Sequence, residues 1–192
     1  MSMFCYENPA LPRLLHAWAG GDNRLRCLIP ESKALLQVAE FLGDSSLQIG
    51  GTVRRDNLTL CALPFLSQEN YDRLLWSCNL NFVRGEDSPV RAQWAARPLV
   101  WQVYPQGNDA HIAKLEAFLA RYCDNLPLDA ASACRDFWMA WNRGDGSAAA
   151  AAWPAFWRVQ DDLRGHARHW SEQLSRQADL ARQLVLFCKT LL

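Results

Sequence analysis

The stretch "VRGEDSPVR", residues 83–91, gathers a guanidinium, a glycine, two adjacent carboxylates and a hydroxyl. An acidic pair is costly to desolvate, so Glu86 and Asp87 must be solvated, capping a helix or gripping something polar. Ser88 followed by Pro89 fits an N-cap with proline at the first helical position, leaving N–H groups free to hold an anion, phosphate above all. Two carboxylates repel a diphosphate. They suit sugar hydroxyls better, with Asp87 also complementing the helix dipole and Ser88 free for a phosphate oxygen. The plainer alternative is that Asp87 and Ser88 do no more than cap a helix.

The elements that must position this stretch alternate along the first two thirds of the chain. "SMFCY" reads as a strand and "PALPRLLHAWAGG" as a helix; "RLRCLI" is a strand, and "ESKALLQVAEFLG" is a helix with Ser32 as N-cap and Gly43 as its stop. "LQIGGTV" and "LTLCALPF" read as strands joined by a turn at Asp56 and Asn57. "SQENYDRLLWSC" is helical, "NFVR" a strand, "SPVRAQWAA" a short helix, "PLVWQVY" a strand, and "DAHIAKLEAFLARYC" an amphipathic helix. Such alternation predicts an α/β domain with a mainly parallel sheet, in which ligands bind beyond the carboxyl ends of the strands. "VRGEDSP" lies at such an end.

From about Pro127 the strands stop. Two helical stretches follow, one of them carrying an alanine tract at 148–152 after a break at Gly144, Asp145 and Gly146. The last run, 166–192, reads as one long helix with an apolar stripe of Leu174, Ala178, Ala181, Leu184, Val185 and Cys188. The expected organisation is a Rossmann-like lobe over 1–126 and helices over 127–192 that pack on it.

Composition removes several classes of function. Lys plus Arg equals Asp plus Glu at 20 each, so no global field argues for nucleic acid or a membrane surface. Seven cysteines, an odd number with no Cys-x-x-Cys spacing, argue for a reducing cytoplasm and unpaired, mostly buried thiols rather than disulfides or zinc. His166 and His169 share a helical face, but no further ligand completes a metal site. Asp161 and Asp162 read as a solvated face, while His111 and Lys114 follow "YPQGND" and either border the phosphate site or lie on the surface.

"NFVRGEDSPVRAQWAARPLVWQVYPQ", together with "MFCYENPALPRLL" and "LPFLSQENYDRLLW", resembles the carboxyl-terminal half of the bacterial protein-arginine rhamnosyltransferases that modify elongation factor P. The similarity runs from about Met3 to Phe118 and more weakly beyond. It implies the second lobe of a two-lobed GT-B glycosyltransferase, inverting and independent of any metal or cofactor, that moves rhamnose from dTDP-β-L-rhamnose to an arginine of elongation factor P. The resemblance further implies that the principal catalytic aspartates belong to an amino-terminal lobe absent from this chain, which by itself binds dTDP or dTDP-rhamnose without transferring the sugar. Donor-contacting positions implied by the family are Phe4, Tyr6, Phe65, Gln68, Tyr71, Arg84, Asp87, Ser88 and Tyr104, with Glu86 as a supporting catalytic residue. In that scheme Phe65 stacks on thymine, and Ser88, Tyr104 and Arg84 face the diphosphate. The terminal helix is expected to face the missing lobe. A different class remains open on the residues alone: a non-catalytic nucleotide-binding or protein-interaction module.

Overall fold

The computed structural model describes residues 1–43 and 47–190. Its elements run β1 (Ser2–Met3), α1 (Ala10–Gly20), β2 (Leu25–Pro30), α2 (Lys33–Leu42), β3 (Thr52–Arg55), β4 (Leu58–Leu63), α3 (Gln68–Ser77), β5 (Asn81–Arg84), α4 (Asp87–Trp94) and β6 (Leu99–Gln102). After a 3₁₀ turn at Gly107–Asp109 come α5 (Ala110–Tyr122), α6 (Leu128–Asn142), α7 (Gly146–Arg158), α8 (Gln160–Ser175) and α9 (Leu180–Thr190). The six strands form one sheet in the order β3-β4-β2-β1-β5-β6, parallel except for the antiparallel edge strand β3. The architecture is therefore the α/β, Rossmann-like one that the alternation predicts.

Chain direction through this sheet creates the site. From β1 the chain winds outward through β2 to β4, then crosses back and winds the other way through β5 and β6. The carboxyl ends of β1 and β5 thus diverge, leaving a crevice at the switch point. β1 is shorter than the five-residue strand expected. Phe4 N–H still reaches Phe82 O at 3.0 Å, but Tyr6 N–H turns to the side chain of Gln102 at 2.8 Å, so the chain has left the ladder by then.

The carboxyl-terminal helices share the core of the sheet. Trp138 and Trp141 of α6 are fully buried, and the Trp141 ring meets Phe82 of β5 at 5.2 Å. Trp153 of α7 meets Trp18 of α1 at 5.0 Å. α7 can approach α1 because Gly146 begins it: a Cβ there would lie 2.8 Å from Arg13 Cβ and 3.4 Å from Ala10 Cα. Asn142, at the end of α6, accepts from Val103 N–H at 2.9 Å and donates to Trp101 O at 2.8 Å, which fixes the strand end leading to Tyr104.

Two expectations are corrected. The terminal run is not one helix: α8 ends at Ser175 and α9 starts at Leu180, where Asp179 accepts from Arg182 N–H at 2.8 Å and caps a new helix. The stripe from Leu174 to Cys188 is accordingly divided, with Leu180, Leu184 and Phe187 of α9 exposed; residues 191 and 192 lie outside the described residues. Ser32 does occupy the N-cap of α2, but its side chain makes no capping hydrogen bond.

Candidate functional site: a switch-point hollow

Beyond the strand ends lies a hollow of about 340 Å³. Each wall comes from a separate piece of the winding. Phe4 and Tyr6 follow β1, Pro30 and Glu31 close β2, Phe65 and Leu66 follow β4, Gln68 and Tyr71 belong to α3, and Arg84 to Ser88 link β5 to α4. Nine of the ten residues implied by the resemblance line it: Phe4, Tyr6, Phe65, Gln68, Tyr71, Arg84, Glu86, Asp87 and Ser88. Tyr104 is not a lining residue; it stands edge-on to Tyr6, 5.3 Å between centroids, and buttresses that wall. Arg91, Gly85, Glu31, Pro30 and Leu66 also line the hollow and were not anticipated. Arg91 could have been found, since it follows Asp87 by one helical turn.

Arg84 occupies the centre of this arrangement. Its guanidinium carbon sits 4.3 Å from the Phe4 ring centroid and 4.6 Å from that of Tyr6, held by the ring faces. Arg84 forms no ion pair with the neighbouring Glu86 or Asp87. The carboxylates are engaged elsewhere: Asp87 accepts from Arg91 Nε at 2.7 Å, and both oxygens of Glu86 accept from Lys114 Nζ at 2.8 and 2.9 Å. Arg91 also reaches Asp72 at 3.0 Å. Among the described residues Arg84 has no carboxylate partner, so the hollow contains a positive group free to receive an anion.

The helix start differs in detail from the pattern read in the sequence. α4 begins at Asp87, with Glu86 in the cap position, so Ser88 is not the N-cap and Pro89 is not the first helical residue. The Ser88 hydroxyl is also not free for a phosphate. It is buried, accepts from Arg84 N–H at 2.9 Å and donates back to Arg84 O, closing the β5–α4 turn. What the turn offers an anion is the N–H groups of the first helical turn, which lack intrahelical partners. Nor does a capping side-chain hydrogen bond form at this terminus, as the purely structural reading required.

Two aromatic residues complete the hollow. Phe65 is 79% exposed at the rim and presents an uncovered ring. Tyr71 packs on Phe4 at 5.4 Å; its hydroxyl lies beside Ser88 but has no hydrogen-bond partner of acceptable geometry, and burial raises its pKa. An unpartnered buried hydroxyl on a pocket wall is a donor awaiting an acceptor.

The other constellations lie apart from the hollow. No three His, Cys, Asp or Glu side chains gather as a metal site among the described residues. His166 is buried edge-on against Tyr122 at 4.7 Å, and His169 contacts Gln173. Asp161 pairs with Arg164 on the surface of α8. His111 accepts weakly from Gln106 N–H at 3.4 Å. No described helix is long and apolar enough to cross a membrane.

Buried titratable groups set the pH range of the fold. Burial pushes the thiols of Cys5 and Cys27 up to about 12 from an ordinary 9.0, whereas it lowers the pKa of His166 below 6.5. The unfolded chain releases thiol protons above about 9 that the folded chain retains, so their stabilisation is complete below that pH and is lost as pH rises towards 12. At the acid end the unfolded chain protonates its histidine first, so stability falls as pH drops through about 6.5. A melting temperature followed from pH 5 to 10 should therefore plateau at about pH 7–8.5 and fall on both sides; a value still rising beyond the plateau on the alkaline side would refute this assignment.

A doubly wound, mainly parallel sheet with a ring-lined hollow at its switch point defines a Rossmann-like α/β domain. Residues 1–189 match the family described as Elongation-Factor P (EF-P) rhamnosyltransferase EarP, and the chain belongs to that family. It is 47% identical over 187 residues to the protein-arginine rhamnosyltransferase of Pseudomonas aeruginosa, covering 97% of this chain and 49% of that protein. For the Shewanella oneidensis protein of the same name the identity is 41% over 193 residues, covering 98% and 49%. The Neisseria meningitidis protein is 28% identical over 191 residues, covering 96% and 50%. A solved structure concerned with EarP-mediated arginine glycosylation of translation elongation factor EF-P superposes with a TM-score of 0.88 at 42% identity, covering 100% of this chain and 60% of that one. The chain thus spans about half the length of the curated relatives it matches.

Proposed function

We propose that this chain is the donor-binding lobe of a protein-arginine rhamnosyltransferase of the GT-B type, holding dTDP-β-L-rhamnose for transfer to an arginine of elongation factor P. The observation that carries this reading is the Arg84 guanidinium, which has no carboxylate partner among the described residues and lies over the Phe4 and Tyr6 rings in a hollow that the start of α4 also lines. A thymine fits the Phe65 ring at the rim, and the diphosphate fits Arg84, the helix N–H groups and the Tyr71 hydroxyl. Glu86 and Asp87, exposed at the mouth, are suited to sugar hydroxyls.

In the reaction, negative charge grows on the diphosphate as the bond to the sugar breaks. Arg84 and the helix mouth stabilise that charge without reorganising, as fixed donors aimed at a developing anion do. The acceptor guanidinium has a pKa above about 12 and needs a carboxylate to orient or deprotonate it. Glu86 is the residue of this chain placed to assist; the principal aspartates belong to the other lobe, so this chain binds the donor and does not transfer the sugar.

Calorimetric titration of the chain with dTDP tests the reading. Saturable binding is expected, weakened about 5- to 150-fold by Phe65→Ala if the ring stacks on the base. Absence of heat at millimolar dTDP would overturn the proposal.

A further inference from the structure

We propose that Lys114 is a positioning residue of this pocket, cancelling and orienting the Glu86 carboxylate so that an acidic helix mouth accepts a doubly charged diphosphate. The inference rests on the nucleotide-binding reading above. Lys114 belongs to α5, a different element from the β5–α4 turn, and is not a lining residue of the hollow. Its ammonium nevertheless donates to both oxygens of Glu86, at 2.8 and 2.9 Å, a bidentate contact that orients the carboxylate towards α5.

The same ammonium stands 5.4 Å from the Trp101 ring centroid. Trp101 in turn donates its indole N–H to Gly85 O at 2.7 Å. One residue of β6 and one of α5 thus brace the Gly85–Glu86 turn from behind, the first through its indole N–H and the second by its charge. Nothing in this brace touches the hollow directly.

Charge accounting explains why a brace is needed. Glu86 and Asp87 are adjacent at the mouth where a diphosphate must enter. Asp87 is compensated by Arg91, which also serves Asp72. Glu86 has Lys114 as its one cationic partner among the described residues. Without Lys114 a full negative charge would stand uncancelled and free to swing towards the phosphates. Near a protein surface, a charge several ångströms from a phosphate shifts affinity roughly five- to tenfold.

The test is titration of the chain and its variants with dTDP and, by saturation-transfer NMR, with uncharged thymidine. Lys114→Met should weaken dTDP about five- to tenfold, more at low salt, while thymidine binding stays within about twofold. Lys114→Arg should restore dTDP binding. The pair is solvent-exposed, so the melting temperature of Lys114→Met should be nearly unchanged. Unaltered dTDP affinity in Lys114→Met, or equal loss of dTDP and thymidine, would overturn the assignment of Lys114 alone. A wild-type chain that binds no dTDP would overturn the nucleotide reading and this inference with it.

Discussion

Arg84→Met should lower the affinity of this chain for dTDP by about 10- to 150-fold, because a hydrogen bond to a charged group contributes roughly 1.5–3 kcal/mol. Other cations near the pocket cannot substitute, since Arg91 is committed to Asp72 and Asp87 and Lys114 to Glu86. The loss should shrink as salt rises, as expected of an interaction with a phosphate at a partly open site. Arg84→Lys separates charge from shape. A lysine retains the charge but lacks the planar fork that lies between the Phe4 and Tyr6 rings, so it should recover only part of the affinity. The folded state loses little more than those two ring contacts, each about 0.5–1 kcal/mol. Equal dTDP affinity in Arg84→Met and wild type, measured by calorimetry, would remove Arg84 from the site.

Legibility in the sequence followed the range of the interaction. Alternating strand-like and helical periods are local, and they correctly indicated the α/β class and the position of "VRGEDSP" at a strand end. Arg91 beside Asp87 is local too, one helical turn apart. Lys114 and Glu86 lie 28 residues apart, and Gln102 and Tyr6 lie 96 apart; these contacts exist only once β1, β5 and β6 are in register. Periodicity alone could not have found them.

Ser88 and α9 show a second limit, in which a local signal has two physical outcomes. A hydroxyl before proline can cap the helix, or it can fold back on the preceding strand, and here it satisfies both backbone groups of Arg84. The 166–192 run keeps its apolar spacing across a break. The clue was Asp179, a good N-cap residue, but an acid inside an amphipathic stripe reads equally well as a solvated position.

Gly85→Ala should damage both the fold and the site. Gly85 has φ +67°, a left-handed conformation that costs a residue with a Cβ about 1–2 kcal/mol. The added Cβ would also lie 2.8 Å from Tyr6 Oη, inside contact distance. Tyr6 cannot yield freely: its N–H is fastened to Gln102, its ring carries the Arg84 guanidinium on one side, and Tyr104 meets it edge-on. Displacing it moves the group on which Arg84 rests. The melting temperature should fall by about 2–8 °C for a chain of this size, and dTDP affinity should drop at least about tenfold. Gly165→Ala supplies the contrast, since Gly165 is exposed in α8 with nothing within 4 Å of an added Cβ. In that helix alanine should stabilise the chain by up to about 1 kcal/mol and leave dTDP binding untouched. If Gly85→Ala instead melted and bound dTDP like the wild type, the close packing of Tyr6 against the turn could not be what shapes the pocket.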